Sequence, residues 1–108
     1  MIPSFLSKEI REVCENEQIA KKMLGSEIAE KLQNRLADIV SANFVTDLLA
    51  GNPMLIRGTS QTYFKLDLTS NCQIRFTSNH NKPPLNNQGK IDWSKVRRIK
   101  ILEISQTQ

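Results

Sequence analysis

Residues 63–77 read YFKLDLTSNCQIRFT, and the fold turns on how this stretch is read. Phe64, Leu66 and Leu68 alternate with Tyr63, Lys65 and Asp67. Thr69-Ser70-Asn71 then supplies a turn, after which Cys72, Ile74 and Phe76 alternate with Gln73, Arg75 and Thr77. Successive side chains of a strand point to opposite faces. Two runs of period two joined by turn residues therefore predict a β-hairpin with one apolar face and one polar, basic face.

On the amino-terminal side of this hairpin, Gly51-Asn52-Pro53 breaks the chain and Met54 to Arg57 forms a short strand ending at Gly58. On the other side, residues 78–95 are rich in Asn, Pro and Lys and lose the alternation. Irregular connections of that length are usually functional or mobile. The last strand, Val96 to Ile104, carries Ile99 and Ile101 in one phase and Leu102 and Ile104 in the other. That pattern suits an interior strand covered on both faces for part of its length.

The first half of the chain has helical periodicity. Ile2 to Phe5 is a short opening strand, with Pro3 acceptable only at a sheet edge. Ser7 is placed to cap a helix carrying Ile10, Val13 and Cys14. Ile19, Ala20, Met23 and Leu24 continue the apolar stripe in a shifted phase, so a break is expected near Asn16, with Gly25 closing the helix. Ser26 is expected to cap a second helix, whose stripe is Ile28, Leu32, Leu36, Ile39 and Val40 and whose outer face holds Lys31, Gln33, Asn34 and Arg35. The expected architecture is α+β in a single 1–108 domain. An amino-terminal helical hairpin packs on a twisted antiparallel sheet, and residues 78–95 form a loop inserted before the last strand.

Composition narrows the function. The chain has 108 residues and a net charge of +4. Residues 1–50 hold six basic and eight acidic side chains, a balance of −2, whereas residues 51–108 hold nine basic and three acidic, a balance of +6. A basic second half is the footprint of a nucleic-acid or other polyanion partner, although many small basic proteins bind nothing anionic. No apolar run approaches the ~20 residues that span a bilayer, and the first residues run straight into Lys8, Glu9 and Arg11, so a cytoplasmic protein is expected. Cys14 and Cys72 have no metal-ligand spacing and read as buried thiols.

No nucleotide loop, nucleophile elbow or metal cluster is present. The single histidine, His80, lies in the Asn/Pro-rich loop and reads as solvated. Trp93 reads as an anchor holding the insert to the sheet rather than as a base-stacking platform. What remains is the polar face of the sheet: Tyr63 and Lys65 from one strand, Gln73 and Arg75 from the next, Arg98 and Lys100 from the last, and Arg57 at the mouth of a turn. Such a surface suits RNA phosphates and the charge of a phosphoryl-transfer transition state. It also reads as an ordinary solvated sheet face, where Lys and Arg discourage aggregation.

Several strings in their order resemble the RelE/ParE superfamily of toxins, and within it the HigB-like "killer protein" branch. They are Ser7-Lys8-Glu9-Ile10, Lys31-Leu32-Gln33-Asn34-Arg35-Leu36, Leu55-Ile56-Arg57-Gly58, Phe64-Lys65-Leu66-Asp67-Leu68, Ile74-Arg75-Phe76 and residues 89–96 leading to Ile101-Leu102-Glu103-Ile104. The resemblance implies the toxin of a type II toxin–antitoxin pair, a ribosome-associated mRNA endoribonuclease working by acid–base chemistry with no metal or cofactor. Its partners would be a cognate helix-turn-helix antitoxin and mRNA on the ribosome. Carried over by position, Arg57 matches the basic residue of the family's phosphate-binding turn. Gln73 stands where the family has an arginine, with Arg75 two residues on and on the same face. Ser105-Gln106-Thr107-Gln108 stand where the family ends in Asp-Tyr-His. The expected site is thus Arg57, Arg75 and Tyr63 for catalysis, with Lys65, Gln73, Arg98 and Lys100 binding RNA. A gyrase-binding toxin of the ParE kind and a non-cutting member that only binds its antitoxin remain as alternatives.

Overall fold

The computed structural model describes residues 1–59 and 61–106. In chain order the elements are β1 (Ile2–Phe5), α1 (Lys8–Glu15), α2 (Glu17–Leu24), α3 (Ser26–Ser41), β2 (Met54–Arg57), β3 (Thr62–Thr69), β4 (Cys72–Ser78) and β5 (Arg98–Gln106). The strands form one sheet in the order β1-β5-β4-β3-β2. The β3–β4 hairpin lies where the alternation of residues 63–77 predicts it, with Phe64 opposite Phe76, Leu66 opposite Ile74 and Lys65 opposite Arg75.

Two features differ from the expected architecture. The helical half holds three helices instead of a two-helix hairpin, because the phase shift at Asn16 is a full break. The Asn16 backbone N–H ends α1 on the Glu12 carbonyl, and its side chain accepts the Gln18 and Ile19 amides that open α2. Ser7 caps α1 as expected, accepting from the Ile10 amide, whereas Ser26 is the first residue of α3 and caps nothing. The hinge before α3 is Gly25, at φ 88° and ψ 160°, a conformation open in practice only to glycine.

The sheet is also mixed rather than antiparallel. β1 pairs with β5 in parallel, Ile2 beside Arg98 and Phe5 beside Ile101. These two strands are separated by all the other elements, so no hairpin turn dictates their sense. Pro3 falls on this edge strand, where its missing N–H costs no ladder bond.

The helices cover one face of the sheet. Leu32 and Ile39 of α3 and Cys14 of α1 share a core with Leu66, Ile74, Phe76, Ile99 and Ile101. Arg35, assigned above to the outer face of α3, turns inward instead. Its Nε donates to the Asp67 carbonyl of β3 at 3.2 Å and its Nη1 reaches Asp38 at 3.0 Å. The guanidinium thereby ties α3 to the sheet, and beside it Gly51 takes φ 85°, a conformation that favours glycine, where a Cβ would lie 3.2 Å from the Asp67 carbonyl.

The β4–β5 connection is ordered by its own bonds rather than irregular. Leu85 bridges Ile91, the Asn86 side chain accepts from the Gln88 and Lys90 amides, and Gly89 takes φ 76° in the tight turn between them. A short 3₁₀ turn, Trp93–Lys95, follows. Trp93 anchors the segment as expected, edge-on to Phe64 with ring centroids 4.9 Å apart, while Phe64 stacks on Phe76 at 5.8 Å. His80 is a second anchor. Its Nε2 accepts from both the Arg97 and Arg98 amides, at 3.1 and 3.2 Å. The lone histidine thus pins the loop to the start of β5.

Both cysteines are free and buried. Burial, reinforced by neighbouring Glu15, pushes the Cys14 thiol from 9.0 up to about 12. Burial also raises Cys72, against a partly opposing hydrogen bond from the Gln73 backbone. Neither is expected to react with a thiol reagent at pH 8 until the protein unfolds. Because the folded pKa of Cys14 is the higher one, the stability gained from its neutral form is whole below pH 9.0 and is lost as pH rises toward about 12. Denaturant midpoints should fall over that range, and less steeply in Cys14→Ala.

Candidate active site

The sheet face away from the helices carries Tyr63, Lys65, Asp67, Gln73 and Arg75, as the alternation requires. Register arranges them in rows across β3, β4 and β5. Lys65, Arg75 and Glu103 form one row, and Asp67, Gln73 and Ser105 the next. Lys65 beside Arg75 would be a repulsive cross-strand pair, but each cation has its own acid. Lys65 Nζ lies 2.9 Å from Asp67 Oδ1, and Arg75 Nη1 lies 3.5 Å from Glu103 Oε2.

Glu103 is the site residue that the period-two reading of β5 misses. Arg75 faces Glu103, yet the next residue, Phe76, faces Ile101, so Leu102 is an extra residue in β5. This is a β-bulge, which delivers two successive side chains to one face. The change of apolar phase between Ile101 and Leu102, read above as coverage on both faces, is the sequence trace of that bulge. Ile101 and Ile104 both pack with the core, and Leu102 and Glu103 are left on the open face.

There they help enclose a cleft of about 350 Å³. Arg75 of β4 lines it with Tyr63 and Glu103 from the two neighbouring strands and with Leu6. Gly58, Thr59 and Gln61 of the β2–β3 turn, beside the start of β3, complete the lining. Gly58 is required in that turn, since a Cβ would lie 2.7 Å from the Gln61 carbonyl.

The Arg75 guanidinium carbon sits 5.4 Å from the centre of the Tyr63 ring, within cation–π range. Its Nε is buried and has no hydrogen-bond partner among the described residues. An ion pair that is 30% and 52% exposed contributes at most about 1 kcal/mol to stability. An arginine held between a ring and a carboxylate, with one donor unsatisfied, is therefore placed at a small cost in folding energy, as groups in functional sites often are.

The remaining candidates do not all converge here. Arg57 pairs with Thr62, in phase with Phe64, and so leaves β2 on the opposite side of the sheet from Tyr63 and Arg75. It lines a separate cleft beside the 86–93 segment, so the shared phosphate grip expected of Arg57 and Arg75 is not formed. Lys65 and Gln73 line a small hollow near the β3–β4 turn. Lys100 lies opposite Thr77, and Arg98, beside Ile2, is exposed at the start of β5. Of the family's ending, Ser105 lies in the row of Gln73, and Thr107 and Gln108 lie outside the described residues. Among the described residues no three His, Cys, Asp or Glu side chains come together as a metal site, and no helix is long and apolar enough to cross a membrane.

Helices on one face of a five-stranded sheet, with a polar cleft on the other, can be set against solved structures. The fold is similar to that of a toxin. A YoeB/ParE toxin from Agrobacterium tumefaciens superposes with a TM-score of 0.62 over 100% of both chains, at 9% sequence identity. At that identity the likeness is one of fold. No protein-family model and no curated protein matches the sequence.

Proposed function

We propose that the protein is the toxin of a toxin–antitoxin pair and that it cuts RNA with the Tyr63–Arg75–Glu103 cleft. The observation that carries this reading is the cleft itself, where one guanidinium is flanked from two neighbouring strands by a carboxylate and a phenol. The likeness in fold to a YoeB/ParE toxin supports the toxin class.

The chemistry follows from the three groups. The Glu103 carboxylate takes the proton of a ribose 2′-hydroxyl, whose oxygen attacks the adjacent phosphorus. Charge builds on the phosphoryl oxygens, where the Arg75 guanidinium is already oriented to receive it. The bond to the 5′ oxygen breaks, that oxygen takes the proton of the Tyr63 phenol, and the proton held on Glu103 returns to Tyr63 through solvent to reset the site. The products are a 2′,3′-cyclic phosphate and a 5′-hydroxyl. Glu103 supplies the base that the Ser105–Gln108 ending lacks.

In this reading the substrate is mRNA on the ribosome, and a helix-turn-helix antitoxin neutralises the protein, with the acidic helical half as its docking surface. Induced expression with and without the antitoxin tests it. Growth arrest with mapped mRNA cuts, both lost in Arg75→Ala, is the expected outcome. Arrest with gyrase-linked DNA breaks and intact RNA would replace it with the gyrase-binding reading, and no arrest would remove the toxin function.

A further inference from the structure

Of the cations expected to hold RNA on the open face, Lys65 is paired with Asp67 and Arg75 with Glu103, while Arg98 and Lys100 have no acidic partner among the described residues. Off that face, Arg57 and Lys90 also have none among the described residues, and these two come together, both lining the cleft between edge strand β2 and the 86–93 segment.

This cleft has a volume of about 560 Å³, within the ~300–1,000 Å³ span of small-ligand sites. Its composition is graded. Leu55, Ile91 and the remaining edge of Trp93 are apolar, and Arg57 and Lys90 bring positive charge. The Gln88 amide can both donate and accept, while the Asn86 amide has its oxygen taken by the Gln88 and Lys90 N–H groups and keeps its NH2 to donate. A flat heterocycle with hydrogen-bonding edges, joined to a phosphate, matches all three parts. A purely apolar ligand would leave the cations unused, and a bare anion would leave the apolar part exposed.

Position adds a second argument. Gly58, Thr59 and Gln61 wall the Tyr63–Arg75 cleft, and Arg57 and Thr62, at the two ends of the same turn, wall this one. The β2–β3 turn is therefore a ridge with one cleft on each side. A strand of RNA passing over it would reach both clefts.

We propose that the Arg57–Lys90 cleft is a nucleotide subsite, taking the base and phosphate of an RNA residue next to the one in the Tyr63–Arg75 cleft. This rests on the RNA-cutting reading above. Arg57 then acts in substrate binding away from the reacting phosphate.

Trp93 is the only tryptophan in the chain and lines this cleft but not the other, so its emission reports the subsite directly. The probe is a short single-stranded RNA with 2′-O-methyl riboses, which cannot be cut, labelled with fluorescein for anisotropy. Wild type is expected to bind with a change in Trp93 emission. Arg57→Ala with Lys90→Ala should lose that change, bind about tenfold more weakly and show a salt dependence shallower by about two phosphate contacts. Arg75→Ala should keep the emission change. Binding seen by anisotropy with Trp93 emission unmoved, or the double variant binding as wild type does, overturns the subsite and leaves the RNA-cutting reading standing. No binding of the free RNA by wild type overturns the subsite, while the RNA-cutting reading, whose substrate is mRNA on the ribosome, is decided by the mapped mRNA cuts. Adenosine monophosphate alone moving Trp93 as strongly as the RNA does would assign the cleft to a free nucleotide and overturn the strand assignment.

Discussion

Arg75→Ala is expected to lower RNA cleavage by about 100- to 1,000-fold, the usual result of removing one preorganised donor from a developing oxyanion, while shifting folding stability by no more than about 1 kcal/mol. The asymmetry follows from where the residue sits. Its ion pair with Glu103 is partly in water and contributes little to the fold, and its cation–π contact with Tyr63 joins two strands of the same sheet rather than two layers. Glu103→Gln keeps the size of the side chain but loses the charge that faces Arg75 and cannot take a proton. It should lose about 100- to 10,000-fold, as a lost general base does. Cleavage rates beside urea midpoints for wild type and the two variants check both halves. A variant that loses activity and stability together would mark Arg75 as a structural residue.

Phe76→Ala carries the largest expected cost to the fold, about 3–5 kcal/mol. Phe76 is fully buried on the central strand β4 and stacks on Phe64, which in turn meets Trp93. Removing the ring leaves a cavity between the helices and the sheet and frees the inner side of the Phe64–Trp93 contact. A domain of this size has only about 5–15 kcal/mol of stability in total, so the variant should be largely unfolded at 37 °C. Circular dichroism against denaturant measures it. A loss below about 1 kcal/mol would mean that the three rings do not form the centre of the core.

The course of residues 63–77 was legible because both their strands obey a strict period and are joined by a turn, so local pattern and final pairing agree. Glu103 was not legible, since a one-residue bulge reverses the face of everything beyond it and leaves only an ambiguous change of apolar phase. The side taken by Arg57 was hidden for a related reason. It depends on the register Arg57 to Thr62, set by the geometry of the Gly58–Gln61 turn rather than by the composition of β2. The parallel pairing of β1 with β5 was hidden because it joins the two ends of the chain, where no local pattern states a direction. Arg35 looked solvated by helical spacing, yet its long stem carries the guanidinium back to a β3 carbonyl. The helix break at Asn16 was visible because one side chain both interrupts the stripe and caps the next turn.

The central claim is that a metal-independent RNA cleavage takes place on Arg75 between Glu103 and Tyr63. The most direct measurement is the chemistry of the RNA ends after purified protein acts on ribosome-bound mRNA in the presence of a chelator. The account predicts 5′-hydroxyl and 2′,3′-cyclic phosphate ends from wild type and none from Arg75→Ala. Intact RNA from wild type, ends carrying a 5′-phosphate, or undiminished cutting by Arg75→Ala would contradict it.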